Sequence, residues 1–184
     1  MTGYDVLLII DVQERLAPAM ETAEESIAAI SKLVRGASIL NIPIVISEHC
    51  AEKIGPTVPQ VIDACGAEPI IFPKTSFSCF ADFQANLGDQ LPQNPILAIA
   101  GMETHVCVMQ SALDFVSAGY NCMLAVDAVA SRKAIDREMA IAMMQSHGIN
   151  LTTVEALLFL WMRTARHPMF GEVLELIKEA NTSK

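Results

Sequence analysis

Apolar positions along the chain recur in two patterns, short uninterrupted runs and longer stretches with helical spacing. Residues 6–10, 44–46, 69–72, 96–100, 123–126 and 150–152 are runs of the first kind and predict short strands buried on both faces. Between them, residues 26–40 set Ile27, Ile30, Val34 and Ala37 on one helical face, with Gly36 and Asn41 near the end. A shorter helix is predicted over 82–91, where Pro92 stops it. The stretches 104–118 and 132–147 end at Gly119 and Gly148, the position where glycine closes a helix. Pro168 opens a last helix, running to about Lys178, at the place where proline is tolerated.

Strands alternating with helices imply right-handed crossovers and a parallel sheet. The pattern predicts a single-domain, Rossmann-like three-layer α/β sandwich over residues 1–184, a six-stranded parallel sheet with helices on both faces. There is no internal repeat and no long linker. The one extended irregular stretch is 48–59, with Gly55-Pro56 and Pro59, long enough to be functional. In such sheets ligands bind beyond the carboxyl ends of the strands. Asp11, His49, Lys74 and the segment 101–107 all follow directly on a predicted strand.

Composition sharpens this picture. Hydrophobic residues make up 52% of the chain, and the mean hydropathy is +0.39. A sheet covered on both faces and an apolar homo-oligomer interface each account for that, and both are expected. Twelve basic against twenty-one acidic residues give a formal charge of −9, which argues against nucleic acid and anionic membrane as partners. The start of the chain has no signal-peptide pattern, and no apolar run approaches the roughly 20 residues of a membrane helix. Five widely spaced cysteines (Cys50, Cys65, Cys79, Cys107, Cys122) without a CxxC pair are neither a disulfide framework nor a zinc cluster. A cytoplasmic protein with reduced thiols is expected.

Three residues carry candidate chemistry. Cys107 lies three past Thr104, a plausible N-cap, hence in the first turn of a helix whose free amides favour thiolate over thiol. The plainer reading of Cys107 is a small buried hydrophobe. Asp11 after its strand is by default a loop-satisfying carboxylate, and Lys74 a solvated surface lysine. Together the three offer more: a carboxylate takes the thiol proton, and an ammonium holds that carboxylate and steadies negative charge. Glu48-His49 is half a metal site with no second His or Asp in the next ten residues. GxGxxG, Walker and GxSxG motifs are missing.

Three blocks, LLIIDVQERL around Asp11, FPKTSFSCF around Lys74 and AGMETHVCVMQSALD around Cys107, resemble the isochorismatase-like cysteine hydrolase superfamily. EHCAEKIGPTVPQV and HPMFGEVLELIKE extend the likeness, over nearly the whole length, to its isochorismatase-domain-containing hydrolases. The resemblance implies a triad of Asp11 as general base and acid, Lys74 as its partner and Cys107 as nucleophile. It also implies a non-proline cis peptide at Met102–Glu103, with an oxyanion hole made by the backbone amides of Glu103 and Cys107. Two departures narrow the activity. True isochorismatases lack the cysteine that stands here at 107. Nicotinamidases carry an Asp-x-His and further histidines for a metal after the second strand, where this chain has Ser47 and His49 alone, and Leu16 stands where they tend to have an aromatic residue.

The sequence thus predicts a cysteine hydrolase of a small amide, or a related C–N or acyl bond, working through a thioester on Cys107. No cofactor and no metal are expected. Glu48, His49, Phe77 and Trp161 are candidate pocket residues. The alternative is a ligand-binding or oligomeric scaffold of the same fold without turnover. A thiol redox role is less favoured, since it needs a resolving partner more than a carboxylate.

Overall fold

The computed structural model describes residues 5–87 and 95–179. Strands β1 (Asp5–Ile10), β2 (Ile44–His49), β3 (Ile70–Lys74), β4 (Ile96–Met102), β5 (Asn121–Ala130) and β6 (Asn150–Thr152) form one sheet in the order β3-β2-β1-β4-β5-β6. Every pairing is parallel. All six lie where the apolar runs place them, and most extend further at their carboxyl ends. β5 runs on through Asp127 to Ala130, beyond a register shift against β4 between Ile99 and Gly101.

The alternation of side chains along β1 divides the core. Leu7 and Ile9 point into one cluster, packed with Ile30, Leu33 and Val34 of α1 (Ala23–Ile39). Leu157 and Leu158 of α7 (Val154–Met162) and Val173 and Leu176 of α8 (Phe170–Lys178) complete that layer. Val6, Leu8 and Ile10 point the other way, against Phe83 of α4 (Phe80–Leu87) and Phe115 of α5 (Met109–Ser117). Ala140 and Met144 of α6 (Ala134–Ser146) close this second face. Each face of the sheet is therefore dry, which is why the strands read as unbroken apolar runs.

The fold differs from the sequence reading in several elements. The stretch 48–59 contains the short helix α2 (Ala51–Ile54), and α3 (Pro59–Asp63) follows it. Helix α7 has no counterpart among the predicted elements. It is apolar almost all round (VEALLFLWM), so no polar stripe betrays its period; only Thr153, whose side chain accepts from the Ala156 amide at 3.3 Å, marks its start. The predicted helix over 104–118 is two elements, a π-helical turn (Thr104–Val108) followed by α5. The end of the helix expected over 82–91, with Pro92, lies outside the described residues. Among those described, no helix is long and apolar enough to cross a membrane.

Candidate active site

The chain enters the sheet at its centre, builds β2 and β3 on one side, then returns to place β4, β5 and β6 on the other. The segments leaving β1 and β4 therefore diverge, and in such sheets ligands bind beyond the carboxyl ends at this point. Asp11 stands there, fully buried, with a left-handed backbone (φ 53°) that aspartate tolerates better than most residues. Its amide donates to the Ser47 carbonyl at 3.1 Å, tying the end of β1 to β2. On the other flank, Gly101 adopts φ 134°, and a Cβ there would run into the main chain of Ile10. Only glycine lets β4 approach β1 this closely beside Asp11.

Both carboxylate oxygens of Asp11 are engaged. Ser47 Oγ donates to Oδ1 at 2.7 Å, and Lys74 Nζ donates to Oδ2 at 2.6 Å. Neither side chain of the ion pair has any exposed surface. A buried pair is stable only when its remaining hydrogen-bonding capacity is also met. Here it is: the ammonium has three donors, and the other two go to the carbonyls of Ser76 and Phe77, each at 3.1 Å.

Cys107 faces this pair from the π turn, near enough that both Asp11 and Lys74 act on its thiol. The peptide Met102–Glu103 ahead of it is cis. The Glu103 carbonyl accepts from the Val106 and Val108 amides and passes over the amide of Cys107 between them. Arg132 Nε donates to Glu103 Oε2 at 2.8 Å, and Ser131 Oγ lies 3.0 Å from His105 Nδ1, so the loop after β5 grips the turn on both sides.

The thiol contradicts one expectation. A helix N-terminus was expected to favour thiolate, yet Cys107 is pushed up to about 12. Burial is the main cause and the negative charge of Asp11 the second, with Lys74 opposing them. The side chain sits in a π turn and packs among apolar neighbours, which favours the thiol over the thiolate beside the Asp11 carboxylate. Cys79 and Cys122 are likewise pushed up to about 12, mainly by burial.

The four candidate pocket residues separate. His49 and Phe77 lie together near Lys74: their rings stack with centroids 5.7 Å apart, and Phe77 is 52% exposed. His49 Nδ1 is buried without a hydrogen-bond partner. Glu48 is occupied elsewhere, since its Oε1 accepts from both the amide (2.7 Å) and the hydroxyl (2.8 Å) of Thr57, closing the loop. Trp161 is at the wrong end of the sheet. It sits near the end of α7, which runs back from β6, and its side chain acts on the Asp5 carboxyl at the first residue of β1, opposing in small part the upward push of burial.

Two polar residues at the site escaped the sequence reading as participants. Ser47 holds Asp11 and is not a failed metal ligand. Gln13, fully buried, binds the main chain of His49 at both its amide and its carbonyl, and also the Gly55 carbonyl. The signal for both was position, at a strand end and two residues past Asp11, but nothing local shows which groups they meet. The residues around His49 do not fit a metal: Ser47 spends its hydroxyl on Asp11, and among the described residues no three His, Cys, Asp or Glu side chains gather as a metal site.

Residues 5–156 match the family model described as the Isochorismatase domain. The chain belongs to the isochorismatase domain family. Within the family it is 35% identical over 175 residues to isochorismatase domain-containing protein 2 of Rattus norvegicus, covering 95% of this chain and 81% of that protein. To isochorismatase domain-containing protein 1 of Danio rerio it is 37% identical over 174 residues, spanning 94% of this chain but 60% of the relative. A solved structure described as MAR1 ribonuclease from Caenorhabditis elegans superposes with a TM-score of 0.89 at 32% identity, covering 98% and 93% of the two chains. The nicotinamidase/pyrazinamidase PncA of Bacillus subtilis shares the fold, with a TM-score of 0.68 at 20% identity over 80% of this chain and 98% of that one.

Proposed function

We propose that this isochorismatase-domain protein is a cysteine hydrolase of small amides, or of a related C–N or acyl bond. What carries the reading is the buried contact of Lys74 with Asp11 across 63 residues of sequence, with the Cys107 thiol set against both. An ion pair buried for packing alone has no need of a thiol within reach of its carboxylate. The raised thiol suits the same reading, since a neutral nucleophile beside a base loses its proton only as it attacks.

In the first half-reaction Asp11 takes the Cys107 proton while the sulfur bonds to the substrate carbonyl carbon. The oxyanion is held by the amides of Glu103 and Cys107. Collapse breaks the C–N bond, and the amine leaves with the proton from Asp11. In the second, Asp11 takes a proton from water as its oxygen attacks the thioester, and the proton returns to sulfur when the acid departs. Lys74 keeps Asp11 aimed through both half-reactions, and His49 and Phe77 line the approach. A protein of one domain that assembles as a homo-oligomer, works in the cytoplasm and needs no cofactor belongs to the same proposal. An RNA substrate, suggested by the name of the Caenorhabditis elegans relative, is not favoured at a formal charge of −9.

The test is a panel of small primary and secondary amides assayed for released ammonia or amine, with Cys107→Ala alongside. Release that disappears in Cys107→Ala is expected. Equal release by the variant, or ligand binding with no release from any amide, would move the protein to the scaffold reading.

A further inference from the structure

Resting on that reading, we infer that Ser111 is a positioning residue for the nucleophile, its one hydroxyl locking the loop that holds Lys74 to the turn that carries Cys107. Ser111 has no exposed surface. Its Oγ donates to the Cys107 carbonyl at 2.6 Å and accepts from the Cys79 amide at 2.9 Å. The first bond alone means little, because a helical serine often returns its hydroxyl to the carbonyl four residues back. The second is the informative one. It comes from a separate segment 32 residues away, and with the hydroxyl proton already committed to Cys107 the oxygen acts there as acceptor.

That segment is the one that aims the ammonium. Between Lys74 and Cys79 lie Ser76 and Phe77, whose carbonyls take two of the three Lys74 donors. The Cys79 carbonyl in turn accepts from Phe83 at 2.8 Å, anchoring the segment to α4. A closed ring results: Asp11 to Lys74, Lys74 to the loop, Cys79 to Ser111, Ser111 to Cys107, and the Cys107 thiol back to Asp11 and Lys74. Ser111 touches neither substrate nor reacting atoms. Removing its hydroxyl leaves the buried Cys79 amide unpaired, and the loop relaxes by carrying the Ser76 and Phe77 carbonyls off the ammonium. Lys74 then aims less well at the thiol.

The experiment follows the rate of Cys107 alkylation by iodoacetamide against pH, resolved by peptide mass mapping, in the full-length protein well below each variant's melting temperature. Ser111→Ala is expected to slow alkylation at least tenfold near neutrality and to move the midpoint of the profile upward, while Ser111→Thr, which keeps the hydroxyl, restores most of the rate. Ser26→Ala, which removes another buried hydroxyl, controls for general loosening and leaves the profile unchanged. If Ser111→Ala lowers the melting temperature and leaves the profile as it was, the serine is only a helix brace and the inference fails. Should Ser111→Ala not fold, Ser111→Cys, with a weak acceptor of similar shape, is read by the same criterion. Asp11→Asn and Lys74→Met run in the same assay: no effect from either overturns the hydrolase reading, whereas an effect from both with none at Ser111 overturns this inference alone.

Discussion

Asp11 and Lys74 meet at 2.6 Å with no solvent on either side chain, and the Cys107 thiol stands within reach of both. The two charges act on that thiol in opposite directions: Asp11 raises its pKa, and Lys74 lowers it. Their removal should therefore be distinguishable.

Asp11→Asn abolishes the base and lowers turnover by about 10²–10⁴-fold. It also takes away the charge that holds the proton on sulfur, so Cys107 ionises at lower pH and its resting alkylation speeds up. Lys74→Met does the reverse to the thiol, raising its midpoint and slowing alkylation, while turnover falls as well. Each variant breaks a fully buried pair, at a typical cost of about 3–5 kcal/mol, so the profiles are compared below the lowered melting temperatures. Shifts of the same sign in both variants would contradict the arrangement.

Gly101→Ala places a methyl group against the Ile10 main chain at a residue with φ 134°. Backbone cannot yield as a side-chain tip can, so a loss of at least about 3 kcal/mol is expected from strain and overpacking together. Urea denaturation measures it. A variant of undiminished stability would show that β4 does not approach β1 so closely.

Stability should decline in alkali. Cys79, Cys107 and Cys122 are each raised from the usual thiol value near 9 to about 12. Between those limits the folded protein holds protons that the unfolded chain has released, so the free energy of unfolding falls as pH rises through the window. Calorimetry across it is expected to show a falling melting temperature, with a shallower slope in Cys122→Ala. A level curve from about pH 9 to about 11 would mean the thiols are not held protonated.

Trp161→Phe tests the assignment of that residue to the far end of the sheet. The alkylation profile of Cys107 and the KM for any amide found are expected to stay unchanged, with any loss confined to stability. A raised KM would return Trp161 to the pocket.

Activity should survive prolonged dialysis against a strong chelator, because Ser47 gives its hydroxyl to Asp11 and stands where a metal site would need a carboxylate. Stoichiometric zinc or iron in the purified protein, with activity that follows it, would reverse this.

What the sequence determined by itself is local and periodic. Short apolar runs alternating with amphipathic stretches read as buried parallel strands between helices, and six of them suffice for the layer order. The same logic places Asp11 and Lys74 at strand ends and Cys107 in the turn that follows one, because a polar residue after a buried run must leave the sheet at its edge. Tertiary structure decided what those residues meet. That Ser47 holds Asp11, that Glu48 closes on Thr57 and that Trp161 faces Asp5 depend on register and helix direction, which no short window of sequence encodes. Helix α7 was hidden because uniform apolarity erases the period that a one-sided helix displays. The state of the Cys107 thiol was decided the same way: a helix start favours thiolate, but burial beside a carboxylate outweighs it, and burial is a property of the whole fold.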